Sequence, residues 1–157
     1  MVQRPQSADF VEKLAGLSAH PPEYYVFNGA ANALTGDNAL TAKVGETVRI
    51  YFGVGGPNKT SSFHVIGEIF DRAYQLASLT TEPLTDVQTI TVPPGGAAVV
   101  DMTMDVPGEY VLVDHALSRA ARGLVGKLVV EGAERTDIFK ATATRTAQAE
   151  HGKHETH

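Results

Sequence analysis

Cysteine is missing from all 157 residues. Disulfides, thiolate metal sites and cysteine nucleophiles are therefore excluded. No apolar run approaches the roughly 18 residues that a bilayer-spanning helix needs, so no membrane partner is expected. The opening Met1-Val2-Gln3-Arg4-Pro5 has no apolar stretch of the secretory kind. No Lys/Arg cluster stands out and the formal charge is -5, which argues against a nucleic-acid partner. No carboxylate cluster accompanies His64 and His115, and no internal repeat is visible.

What remains is a plain globular composition, 43% hydrophobic and 20% charged. A chain of this length fits one domain with arms, and it buries enough apolar surface to fold without staples. Ser7 reads as the cap of a short helix over Ala8 to Leu17, with Phe10, Leu14 and Leu17 on one face. His20-Pro21-Pro22 ends it. Residues 1–22 are thus expected to be an arm or interdomain linker, 23–132 the domain, and 133–157 a tail docked on a neighbour or free.

From Tyr24 the texture changes to short β-rich runs punctuated by Gly, Pro, Asn and Asp. Strands are predicted at Tyr24–Phe27, Leu40–Val44, Thr47–Phe52, Phe63–Ile66, Val87–Val92, Ala98–Met102, Glu109–Val113 and Lys127–Val130. Asn28-Gly29, Pro93-Pro94-Gly95-Gly96 and Pro107-Gly108 supply turns. Val48, Ile50 and Phe52 alternate with Arg49 and Tyr51, so that strand has one buried face. Seven or eight strands at this spacing indicate an all-β sandwich. One short helix is expected between Asp114 and Ala121.

Six histidines are the promising metal-binding or proton-transfer side chains. His20 precedes two prolines. His151, His154 and His157 recur every three residues, a spacing a helix would turn into one metal-binding face, but Gly152 and the chain end oppose a stable helix. His64 and His115 differ, because each lies among apolar strand residues. By pattern alone the simpler reading of either is a hydrogen-bonded, half-buried core histidine. Imidazole equally suits copper, zinc, iron or nickel and donates protons near neutrality. Two histidines do not define a metal.

Longer motifs carry more. Val26-Phe27-Asn28-Gly29, Ala33-Leu34-Thr35-Gly36-Asp37-Asn38-Ala39-Leu40, Val44-Gly45-Glu46-Thr47-Val48-Arg49 and Gly55-Gly56-Pro57-Asn58 occur in order. Ser61-Ser62-Phe63-His64-Val65-Ile66-Gly67-Glu68-Ile69-Phe70-Asp71 and Leu112-Val113-Asp114-His115-Ala116-Leu117 follow. This string, from about Tyr24 to Gly132, closely resembles the second domain of copper-containing nitrite reductases. The resemblance implies a cupredoxin-like Greek-key β-sandwich within a homotrimer. It implies that His115 is one ligand of a type 2 copper shared with a neighbouring first domain. His64 matches the family's catalytic histidine, Ile66 the apolar wall of the nitrite pocket, and Thr89 with Gln88 the support of that histidine.

The family's first domain, with its type 1 copper and the other type 2 ligands, has no counterpart here. Lacking cysteine, this chain holds no type 1 copper, whose blue site needs a His₂Cys set. The resemblance further implies nitrite as substrate, nitric oxide as product, a cupredoxin or cytochrome c as electron donor, and a periplasmic setting. An isolated chain is then expected to be inactive. Two alternatives stay open: a stand-alone cupredoxin-like scaffold or binding module, and a domain of a multicopper oxidase. The latter predicts His-x-His motifs, which do not occur; a scaffold has no need of both His64 and His115.

Overall fold

The computed structural model describes residues 22–56 and 58–140. The expected helix over Ala8 to Leu17 and the tail histidines lie outside these residues. Among the described residues, nine strands form two sheets. They are β1 (Leu40–Lys43), β2 (Thr47–Gly53), β3 (Ser61–Ile66), β4 (Phe70–Gln75), β5 (Leu84–Val87), β6 (Thr89–Val92), β7 (Ala97–Thr103), β8 (Gly108–Asp114) and β9 (Val125–Glu131). One sheet has the order β1-β9-β8-β3-β6 and the other β2-β7-β4-β5. Neighbours are antiparallel except β1 with β9. The chain crosses repeatedly between sheets, giving the Greek-key sandwich that the family resemblance implies.

The core lies between the sheets because side chains alternate across each strand. In β3, Phe63 and Val65 are buried while His64 is half-buried and Ile66 exposed. Phe63 stacks on Phe52 at 4.3 Å between centroids and on Phe70 at 6.0 Å. Phe27 meets the edge of Phe52 at 6.3 Å. This aromatic column ties β2, β3 and β4 together, and each buried ring contributes roughly 1.5–3 kcal/mol of burial free energy.

Three sequence expectations change. Tyr24–Phe27 is not a strand but a strap over the 3₁₀ helix Leu117–Arg122. The Tyr25 N–H donates to Arg122 O at 3.3 Å, the Arg122 guanidinium donates to Pro22 O at 2.8 Å, and Arg119 lies over the Tyr25 ring. Gly123 ends the helix at φ +107, and a Cβ there would meet Tyr25 O at 3.2 Å, so the strap's close approach requires glycine. The expected Val87–Val92 strand is two strands, β5 and β6, in different sheets. Its break follows Asp86, held at φ +57, and falls at Gln88. Finally, β4 was not predicted, because only Phe70 and Ala73 within it are buried and no clean alternation marks it.

Because Phe63 both fills the core and sets which way His64 faces, Phe63→Ala is expected to cost about 3–5 kcal/mol of unfolding free energy. Urea denaturation of the two proteins checks this. A change below about 1 kcal/mol would mean that the aromatic column does not hold β3 in place.

Candidate metal centre

His64 and His115 meet because β3 pairs with β8. His64 faces Val113 across the ladder and Phe63 faces Asp114. One residue past the strand, the His115 N–H donates to Ser62 O at 2.8 Å, continuing the register. His64 and His115 are therefore diagonal neighbours on the outer face, a relation that lets long or aromatic side chains touch. Their ring centroids lie 5.3 Å apart with planes tilted by 59°.

The His64 ring is held from the other side. β6 pairs with β3, placing Thr89 opposite His64. The hydrogen bond that orients the ring, however, runs from Nδ1 to the main-chain carbonyl of Gln88 at 2.5 Å. A carbonyl only accepts, so Nδ1 carries the proton and Nε2 is the position free to bind a metal or exchange a proton. That carbonyl is turned toward the ring where the chain leaves one sheet for the other. Ile66 follows two residues after His64 on the same face and is 45% exposed. All five expected site residues thus gather on β3, the β5–β6 corner and the end of β8.

His115 stands on a built foundation. Asp114, 2% exposed, points inward from the end of β8. Its carboxylate accepts from Ser61 Oγ at 2.9 Å, the Ala116 N–H at 2.9 Å and the Ser62 N–H at 3.3 Å. It also pairs with the Arg119 guanidinium. Arg119 in turn donates to Thr60 O at 2.8 Å and covers Tyr25. Burial alone raises the Asp114 carboxyl, but the donors from Ala116, Ser61, Ser62 and Arg119 outweigh it and hold the group below its ordinary value. The residues on either side of His115 are therefore pinned to one carboxylate. Sequence reasoning missed this clamp. Its signal was legible: Tyr110, Leu112 and Asp114 alternate onto the core face, and a carboxylate there needs partners.

Among the described residues, no group of three or more His, Cys, Asp or Glu side chains converges as a metal cage would. A depression of about 440 Å³ opens elsewhere, beside Asp71, Arg72 and Asp101. The buried carboxylate there, Asp101, is already engaged by Arg49 at 2.6 and 2.7 Å, and no imidazole lines it. The histidine pair is the better candidate. Imidazole donors suit copper, and two of them make part of a centre. No helix among the described residues is long and apolar enough to cross a membrane.

The two-sheet sandwich is a cupredoxin-like fold. A sequence profile of the multicopper oxidase family matches residues 8–134, and the chain belongs to that family. Within it the chain aligns with copper-containing nitrite reductases. It is 53% identical over 136 residues to the one from Neisseria meningitidis, covering 85% of this chain and 34% of that protein. The copper nitrite reductase of Nitrosomonas europaea superposes with a TM-score of 0.67 at 28% identity, over 85% of this chain and 46% of that one. A copper-containing nitrite reductase from Thermus scotoductus gives 0.64 at 31% identity, over 71% and 26%. The chain spans about a third of the length of the curated relatives it matches.

The clamp makes a stability prediction. Asp114→Ala should lose about 3–5 kcal/mol, because it leaves Arg119 and three donors without their acceptor. A carboxylate whose folded pKa is lowered stabilises the fold fully above its unfolded value, about pH 4, and loses that contribution as pH falls through the folded value. The stability gap between the native chain and Asp114→Asn should therefore close as pH drops below about 4. A gap constant from pH 7 to 2.5 in denaturant titrations would contradict the assignment.

Proposed function

We propose that this chain is the second domain of a copper nitrite reductase and supplies half of its catalytic centre. His115 is one ligand of a type 2 copper, and a neighbouring first domain provides the remaining imidazoles. His64 is the proton donor beside the metal. The observation that carries this reading is the pair itself: two outward imidazoles 5.3 Å apart with no third metal-binding side chain beside them among the described residues. A centre built there draws its remaining ligands from outside the described residues, and on this reading a neighbouring chain supplies them.

Reduction of nitrite to nitric oxide and water takes one electron and two protons. Copper, when bound, offers nitrite a Lewis-acid seat and accepts the electron. The residues of this chain do the rest of the local work. His64, held at Nδ1 by the Gln88 carbonyl, keeps Nε2 for proton exchange, a role that imidazole commonly fills. Thr89 lines the other side of His64 in the sheet, and Ile66 walls the substrate pocket and limits how nitrite lies. The Asp114–Arg119 clamp fixes the turn from which His115 projects. Family membership, the nitrite reductase relatives and the outward placement of the pair support this account.

In this reading the partners are nitrite, a first cupredoxin domain bearing type 1 copper, two further copies in a homotrimer, and an external cupredoxin or cytochrome c. The compartment is the periplasm. The isolated chain has no route for electrons and is inactive.

Mixing the chain with a matching first domain should restore turnover of nitrite to nitric oxide. In that complex His115→Ala should lose type 2 copper and keep the type 1 colour. His64→Ala should keep both coppers, slow turnover about 10²–10⁴-fold, and flatten its pH dependence. A folded, fully copper-loaded complex that makes no nitric oxide would refute the enzyme reading. Copper loss in His64→Ala would mean the two histidines have exchanged roles.

A further inference from the structure

A divalent ion sits about 2.0–2.1 Å from an imidazole nitrogen, which places the ring centre about 3.2 Å from the metal. Two rings sharing one ion at a tetrahedral angle then have centroids about 5.2 Å apart. The His64 and His115 centroids lie 5.3 Å apart, with planes neither stacked nor coplanar. The pair already has the spacing of a bis-imidazole chelate.

Other features agree. The Nδ1 of His64 is engaged by a carbonyl, the usual arrangement behind a ligating histidine, and this leaves Nε2 for a metal. His115 is exposed, and among the described residues its ring has no hydrogen-bond partner to give up. The flanking main chain is pinned by Asp114, so little conformational freedom is lost on chelation.

We infer that the isolated chain binds one divalent transition-metal ion between Nε2 of His64 and a ring nitrogen of His115, with solvent filling the other positions. This rests on His115 being a copper ligand in the assembled enzyme and adds a second state of the same site. In the isolated chain His64 is a ligand; in the assembled centre it is the acid. An ion held by His64 occupies the nitrogen that must carry the proton. The half-site is thus loaded but silent until imidazoles from the neighbouring chain replace His64.

The test uses the full chain carrying His151→Ala, His154→Ala and His157→Ala, so that tail histidines do not compete. It is titrated with Cu²⁺ alone, followed by calorimetry and electron paramagnetic resonance. One ion per chain with two imidazole nitrogens is expected. Adding His64→Ala or His115→Ala should each weaken binding at least tenfold, and the double variant should lose the site, since each single variant keeps only one imidazole. Unchanged affinity in His64→Ala, or no binding at one ion per chain, overturns the inference. Should a variant melt abnormally, Zn²⁺ titration of the parent with ring-nitrogen NMR decides instead. Both histidines should shift together, and a shift of His115 alone overturns the chelate. Failure here leaves the half-site reading standing, because that reading is measured on the reconstituted complex.

Discussion

Phe63 and Asp114 face one another across the β3–β8 ladder, both turned inward, and from this pairing the rest of the site follows. Phe63 anchors β3 through the aromatic column, and Asp114 anchors the end of β8 through four donors. The residue after each inward anchor must face outward, since a strand alternates. Those residues are His64 and His115. Their approach to 5.3 Å is therefore a by-product of the core, not of any contact between the rings themselves. A one-residue slip of β3 against β8 would exchange core and surface along the strand and bury His64.

The two anchors differ in kind. The aromatic column is non-directional burial, tolerant of small shifts. The Asp114 carboxylate is directional: it accepts from Ser61, Ser62, Ala116 and Arg119, and Arg119 carries the constraint on to Thr60 and the Tyr25 strap. A solvent-facing histidine on an unconstrained turn would sample many positions. Here the turn is fixed by charge-assisted hydrogen bonds on the core side, leaving the imidazole free on the other. The chain spends a buried ion pair, which need not add stability, on placing one imidazole.

Much of this was legible in the residues. Alternation in Val48–Phe52 and Phe63–Ile66, with the Gly/Pro turns, was enough for a β-sandwich. Consecutive motifs pointed to His64 and His115 where spacing alone could not. Three things were hidden for physical reasons. Tyr24–Phe27 has strand-like residues but is drawn onto the 3₁₀ helix by tertiary bonds that no local pattern reports. Val87–Val92 reads as one strand because a change of sheet at a single residue leaves the apolar pattern intact. The resemblance implies support of His64 from Thr89 with Gln88, and the bond that forms is to the Gln88 main-chain carbonyl, a group that side-chain identity does not encode.

On the proposed reading, a neighbouring first domain completes the copper centre begun by the two converging imidazoles. The most direct measurement of that claim counts nitrogens. The chain is prepared with ¹⁵N-histidine, combined with an unlabelled first domain and copper, and the type 2 copper is examined by pulsed electron paramagnetic resonance. The account predicts one labelled imidazole on the metal, from His115. Two labelled nitrogens, or none, would contradict it.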